Sequence, residues 1–139
     1  MAKKWFSLET DKLFQVIIGD GVEYLRQSVR KGRRFDAIVL DACFIEAHDD
    51  IHCPSSVFLN TEAIQDMAKL IGDQGVLIVN VVPNSNYPAN VVGKVKALFL
   101  KSFKYFKETH VEGTSNYVLT FTQFKHKELY AELSKIAGS

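Results

Sequence analysis

Short, uninterrupted apolar runs alternate along this chain with segments of helical periodicity, and this alternation restricts the possible folds more than any other feature. Three runs are predicted to be strands, residues 13–18, 35–41 and 76–82. Their apolar residues follow one another without polar alternation, which is typical of strands buried on both faces of a parallel sheet. The helical segments between them provide the crossover connections that parallel strands need. The chain is therefore predicted to be an α/β protein.

The predicted helices have recognisable ends. Asp20 is placed to cap the first helix, with Glu23 three residues later as its partner in a capping box. The second helix is predicted over residues 61–71 with Gly72 as its stop, and the third over residues 91–103. Each helix thus carries the chain from one strand to the next.

The C-terminal part of the chain has a different pattern. Residues 105–111 and 117–122 flank a short loop and are predicted to form an antiparallel hairpin, and a last helix is predicted where Leu129, Leu133 and Ile136 share a face. The order β-α-β-α-β-α-β-β-α predicts a mostly parallel sheet that ends in an antiparallel hairpin. No linker interrupts this order, so the whole chain, residues 1–139, is predicted to form one domain.

Composition excludes several classes of function. The formal net charge is +1, so the basic residues between positions 26 and 34 are interpreted as a solvated helix end rather than a nucleic-acid site. No apolar run approaches the roughly 20 residues that span a bilayer, and the N-terminus has no apolar secretory region. The two cysteines, Cys43 and Cys53, suit a reducing interior better than a disulfide scaffold. We expect a cytoplasmic protein without nucleic-acid or membrane partners.

Candidate site residues stand at the ends of the predicted strands. They are Asp20 and Gly21 after the first strand, Asp41 and Ala42 after the second, and Asn80 near the end of the third. Ligands of open parallel sheets bind beyond the carboxyl ends of the strands. A carboxylate there can accept hydrogen bonds from an exocyclic amine, and a neighbouring glycine lets a flat base approach the backbone. The sequence therefore predicts a ligand cleft at this edge.

Structural roles are the alternative for each of these residues taken singly. Asp20 could serve only as a helix cap, and Asp41 could be an ordinary turn residue. Their placement at successive strand ends favours the cleft. A nearby loop contains several metal-ligating residue types, but their spacing matches no zinc pattern and no metal is predicted. These loop residues are His48, Asp49, Asp50, His52 and Cys53.

Four segments together resemble a known enzyme family. Residues 16–25 (VIIGDGVEYL) and 35–41 (FDAIVLD) look like the third and fourth strands of the spermidine-synthase-like branch of S-adenosylmethionine-dependent methyltransferases. Residues 52–58 (HCPSSVF) followed by 75–82 (GVLIVNVV) are similar to the C-terminal domain of the elongation-factor-1-alpha lysine and N-terminal methyltransferases. The resemblance implies a Rossmann-like methyltransferase fold and S-adenosylmethionine as the cofactor.

The resemblance also implies roles for individual residues. Asp20 and Gly21 would bind the adenine end of the cofactor, and Asp41 with Ala42 would lie where the fourth strand meets cofactor and acceptor. On the substrate side stand Cys53, Phe58 and Asn80. Because the methyl group of a sulfonium is already activated, the protein mainly aligns the acceptor amine, and no general base is assigned. The implied substrate is a protein such as a translation elongation factor.

The chain also departs from the family pattern. The glycine-rich turn after the first family strand and the acid after the second do not precede residue 13, so the sequence looks like the C-terminal portion of the domain, with the first two strands missing. We expect it to be inactive as an isolated chain, with only the adenine side of the cofactor site. One alternative is an aminopropyltransferase, disfavoured because Phe44 stands where those enzymes carry a second acid. Another is a non-catalytic interaction fragment.

An apolar strand over residues 35–40 cannot leave a bare edge in water without inviting pairing. Two arrangements would protect this edge. Either residues 13–18 move to pair with it, or a second copy of the chain fills it. We expect the second arrangement, a homodimer.

Overall fold

The computed structural model describes residues 11–44, 50–85 and 90–125. Helix α1 is Gly21–Arg30, strand β1 is Ala37–Leu40, and the short strand β2 is Ile51–Cys53. A single 3₁₀ turn, Ser56–Phe58, leads into helix α2, Thr61–Ile71. Then come β3, Val76–Pro83, α3, Val91–Phe99, and the hairpin of β4, Tyr105–His110, and β5, Tyr117–Thr122. The α/β order predicted from the sequence is confirmed for these elements.

The strands lie side by side in the order β1-β3-β5-β4, and β2 pairs with the end of β3. The β1–β3 ladder is parallel, whereas β3–β5, β4–β5 and β2–β3 are antiparallel. Both the parallel ladder and the C-terminal hairpin of the prediction are therefore present. In the described residues the parallel part is confined to one ladder, which places the carboxyl end of β1 beside the middle of β3.

The core lies between the sheet and its helices. Helix α2 packs on β1 and β3, and α3 packs on β3 and β5. Phe99 from α3 stacks on Phe121 from β5, with ring centroids 4.9 Å apart, and Phe103 closes the group. Met67 of α2 and Leu77 of β3 are fully buried in the same core. These contacts hold the strand ends that carry the candidate site.

Local signals set the helix ends. The side chains of Asp20, Asn60 and Asn90 each accept a hydrogen bond from the backbone N–H three residues later. Gly72 ends α2 with a φ of 59°, a conformation that favours glycine. Helix α3 ends at Phe99, earlier than predicted.

The strand predicted over residues 13–18 is wrong. These residues form no strand, and Leu13 and Ile18 are each 97% exposed. A β-prone segment becomes a strand only where a neighbouring strand offers hydrogen-bond partners, and within the described chain none does. The pairing of this segment with β1 is therefore absent.

Two further expectations differ from the structure. Strand β1 is not buried on both faces, because Val39 is 67% exposed. Strand β2 was not predicted, and its residues belong to a stretch that was expected to be irregular. A strand of three residues has too few positions to show a periodic pattern in the sequence.

The last predicted helix lies outside the described residues. None of the helices that are described is long and apolar enough to cross a membrane.

Candidate functional site

The N-terminus of α1 brings Asp20 and Gly21 to the edge of the site. The Asp20 carboxylate accepts a hydrogen bond of 2.9 Å from the Glu23 backbone N–H and so caps the helix. The side chain of Glu23 bonds to Arg26 and Gln27, so the reciprocal bond of a capping box is not among the described contacts. Asp20 thus has a structural role in the fold, and it also borders two shallow hollows beside the helix start.

The end of the parallel β1–β3 ladder brings Asp41 and Asn80 together. Leu40 pairs with Val79 at the last step of the parallel ladder, so Asp41, just after β1, lies beside Asn80 of β3, which continues the strand and pairs with Val118 of β5. The Asn80 side-chain amide donates a hydrogen bond of 2.8 Å to Asp41 Oδ1, across 39 positions of sequence. Two of the three predicted polar side chains, Asp41 and Asn80, are therefore in contact. The third, Asp20, follows no strand and caps α1 instead.

A cleft of about 320 Å³ lies between α1, the end of β1 and the 3₁₀ turn. Four predicted residues line it, namely Gly21, Asp41, Ala42 and Phe58. The wall is otherwise apolar and consists of Leu25, Ile38, Val39, Leu40 and Met67.

Gly21 and the Phe58 ring approach each other closely in this cleft. A Cβ atom on this residue would lie 2.8 Å from Cζ of the Phe58 ring. Because a methyl group there would push the ring away, the glycine lets the aromatic side chain approach the helix start closely. The two residues therefore shape one end of the cleft together.

The remaining predicted residues contribute indirectly. Cys53 does not line the cleft; it is buried in β2 and forms a disulfide bond with Cys43. Asn80 acts on the cleft through Asp41. The bond between the cysteines differs from the expectation that they suit a reducing interior better than a disulfide scaffold. The sequence could not show it, because it depends on β2 folding back beside the end of β1.

The apolar side chains that form the wall of the cleft were not predicted from the sequence. Leu25 and Met67 show only helical spacing in the sequence, which equally indicates ordinary core positions. They become cleft residues because α1 packs against α2. Within the described ranges no three metal-ligating side chains cluster, and His48 and Asp49 of the metal-ligand-rich loop lie outside those ranges.

Comparison with known proteins shows what this chain is similar to. No protein-family model matches it. It is 30% identical over 82 residues, 59% of its length, to the eEF1A lysine and N-terminal methyltransferase homolog of Drosophila melanogaster. It is 26% identical over 121 residues to the eEF1A lysine and N-terminal methyltransferase of Danio rerio. The chain spans only 12% and 17% of the length of these two relatives.

A polyamine aminopropyltransferase 1 from Hyperthermus butylicus is 30% identical over 99 residues, 68% of this chain and 32% of the relative. Among solved structures, human methyltransferase-like protein 13 in complex with SAH superposes with a TM-score of 0.77 and 22% identity. This superposition covers 88% of the present chain and 55% of the human one. The predicted methyltransferase-like fold and the resemblance to eEF1A methyltransferases are confirmed.

Proposed function

We propose that this chain forms the adenine-binding side of an S-adenosylmethionine-dependent protein methyltransferase. The observation that carries the proposal is the contact of Asp41 with Asn80 at the end of the parallel ladder, beside the cleft between Gly21 and Phe58. A cofactor site at strand ends is the expected place in an open α/β sheet. The proposal agrees with the names of the eEF1A methyltransferases to which the chain is similar.

The cleft suits an adenine ring better than a whole cofactor. Its volume of about 320 Å³ lies at the small end of the roughly 300–1,000 Å³ typical of ligand pockets. Apolar side chains form its walls, and the Asp41 carboxylate can accept a hydrogen bond from an exocyclic amine. The Asn80 amide holds that carboxylate in place through its bond to Oδ1. The described residues thus fit the base, and none is assigned to the methionine end.

When bound, the cofactor would supply a methyl group already activated on a sulfonium. The residues of this chain would orient the adenosine end and exclude water from it, which is the main protein contribution when the group transferred is already activated. We assign no proton transfer to any residue. The isolated chain is expected to bind weakly and to transfer no methyl group.

Ligand-observed NMR tests this division of the cofactor. We expect saturation transfer from the protein to the adenine protons of S-adenosylmethionine and none above background to its methionine protons. Asp41→Asn should reduce the adenine signal, and Asp36→Asn, an exposed carboxylate before β1, is the matched control. Equal saturation of both ends of the cofactor, or a signal unaffected by Asp41→Asn, would refute the proposal. So would micromolar affinity with methyl transfer to a protein amine.

The acceptor class follows from the relatives' names. We propose a protein amine on a translation elongation factor such as eEF1A. Aminopropyl transfer is the second candidate because of the Hyperthermus butylicus relative. Against it, Phe44, 56% exposed, stands where a polyamine would need a carboxylate. Binding of putrescine with an affinity above that of a neutral diol would favour the second candidate.

The outer edge of β1 supports a partner proposal. Within the described chain β1 pairs with β3 alone, so the other edge of β1 has no strand beside it there. We propose that a second copy of the chain covers this edge, because an open apolar strand edge is a template for pairing. Light scattering should give the mass of a dimer for the natural sequence. A monomer for the natural chain would exclude the proposal.

A cytoplasmic location also stays a prediction. Fractionation of cells that express the tagged chain would test it. Recovery with the cytosolic marker is expected, and recovery in the secreted fraction would contradict it.

A further inference from the structure

Two short segments beside the cleft are joined by two backbone hydrogen bonds and a disulfide bond. Residues 41–44 leave β1, and residues 52–55 include the end of β2. The Phe44 N–H donates to the His52 carbonyl at 3.0 Å, and the Ser55 N–H donates to the Ala42 carbonyl at 2.7 Å. Between these bonds, Cys43 and Cys53 face each other with Cα atoms 4.4 Å apart and are joined by a disulfide. This Cα separation is the one expected of a directly opposed, non-hydrogen-bonded pair of antiparallel residues.

The position of this disulfide connects it with the cleft wall. Asp41 and Ala42, immediately before Cys43, both line the cleft. On the other side Cys53 is only 4% exposed and sits in β2, which is paired with β3. The bond therefore ties the segment after β1 to a buried strand. Without it, the contacts that hold residues 42–44 against β2 in the described part of the chain are the two backbone hydrogen bonds given above.

We propose that Cys43 and Cys53 form a reversible thiol–disulfide site that determines how firmly the cleft wall at Asp41 and Ala42 is held in place. The side chain of Cys43 is exposed, whereas that of Cys53 is buried. An external thiolate therefore attacks the Cys43 sulfur, the S–S bond breaks, and Cys53 leaves as a thiolate that takes up a proton. A second external thiol then displaces Cys43 from the mixed disulfide. The protein gains two electrons and two protons, and the external dithiol becomes a disulfide.

Reduction would also change what surrounds Asp41. Cys43 Sγ lies 3.8 Å from Asp41 Oδ1, the same oxygen that accepts the hydrogen bond from Asn80. A disulfide sulfur has no proton to donate, but a Cys43 thiol does. The reduced state thus adds a second, weak donor at this carboxylate and releases the segment that carries it. Both changes act on the same wall of the cleft.

The amides of Phe44 and Ser55 report directly on this site by hydrogen exchange. Ten positions separate the two cysteines. In the chain-entropy account, a disulfide that closes a loop of that length disfavours the locally unfolded state of the loop by about a hundredfold. In the full chain oxidised with glutathione disulfide, we expect both amides to exchange at least about tenfold more slowly than after reduction with dithiothreitol. The Gly72 amide, bonded to Ala68 at the end of α2, is the internal control and should not respond.

The matched variant is Cys43→Ser, which replaces an exposed sulfur and keeps the buried Cys53. It should exchange at the reduced rate under both conditions, with an unchanged circular dichroism spectrum. Alkylation and mass measurement check the chemistry: both cysteines should be labelled after reduction and neither after oxidation. The proposal is overturned if oxidation leaves the thiols alkylatable. It is also overturned if the exchange rate of each of the two amides, Phe44 and Ser55, differs by less than about twofold between the oxidised and the reduced protein. None of these readouts involves a cofactor, so they are independent of the proposed methyltransferase function.

Discussion

Asp20 can be tested as a helix cap and as a ligand-binding group separately. Its carboxylate accepts the Glu23 N–H at 2.9 Å, and its side chain is exposed at the N-terminus of α1. Replacing an N-cap acceptor by alanine costs typically about 1 kcal/mol, and losing a negative charge at this end of a helix adds about 0.3–1 kcal/mol. We therefore expect Asp20→Ala to lower the free energy of unfolding by about 1–2 kcal/mol.

Asp20→Asn separates the two contributions. Asparagine keeps the accepting oxygen and loses only the charge, so the loss should be about 0.5 kcal/mol. Urea unfolding followed by circular dichroism measures both variants, with an unchanged dependence on urea concentration as the sign that the unfolding reaction is the same. Because a domain of this size shifts its Tm by about 3–5 °C per kcal/mol, thermal melting provides a second measurement.

The other helix caps provide the scale for this comparison. Asn60 accepts the Ala63 N–H at 2.8 Å and Asn90 accepts the Gly93 N–H at 2.9 Å, so Asn60→Ala and Asn90→Ala should each cost about 1 kcal/mol. The reasoning fails if Asp20→Ala is neutral while these two variants are destabilised, or if Asp20→Asn is as unstable as Asp20→Ala. A stable Asp20→Asn protein that no longer shows saturation transfer to adenine would identify Asp20 as a ligand-binding group as well.

Two further predictions concern the core and the cleft. Phe121→Ala removes a fully buried ring and should lower the free energy of unfolding by about 3–5 kcal/mol, measured in urea. Phe106→Ala, on the exposed strand β4, should lower it by less than about 1 kcal/mol. Equal losses in the two variants would contradict the assigned core. Gly21→Ala must displace the Phe58 ring by about 0.7 Å to reach an ordinary carbon–carbon distance. We expect near-natural stability with a weakened adenine signal by NMR, and a recovery of that signal in the Gly21→Ala/Phe58→Ala double variant would confirm that the ring narrows the cleft. A full adenine signal in Gly21→Ala alone would show that the ring does not border the ligand.

Much of the candidate site followed from one rule about parallel sheets. Because Asp41 follows β1 and Asn80 comes directly after the stretch of β3 that pairs with β1, their contact could be predicted from two apolar runs and the polar residues near their ends. Gly21 and Phe58 were also placed at the cleft, in agreement with the resemblance. Cys53 does not line the cleft, and its sulfur is bonded to Cys43.

Local interactions explain what the sequence determined by itself. A helix end depends on residues within one turn of it, so the Asn60 cap and the Gly72 stop place α2 at Thr61–Ile71 without reference to the rest of the chain. Strand β3 was likewise evident, because Val76–Pro83 is a long apolar run between a glycine and a proline-rich loop.

Only the tertiary structure decided which strand-like segments became strands. Residues 13–18 and Ile51–Cys53 are both rich in strand-forming or apolar residues, yet the first forms no strand and the second pairs with β3. A strand's hydrogen bonds are made to another segment, so its formation depends on a neighbour that can lie far away in sequence. The same reason applies to the disulfide and to the apolar wall of the cleft, since Cys43, Leu25 and Met67 acquire their roles from partners brought to them by packing.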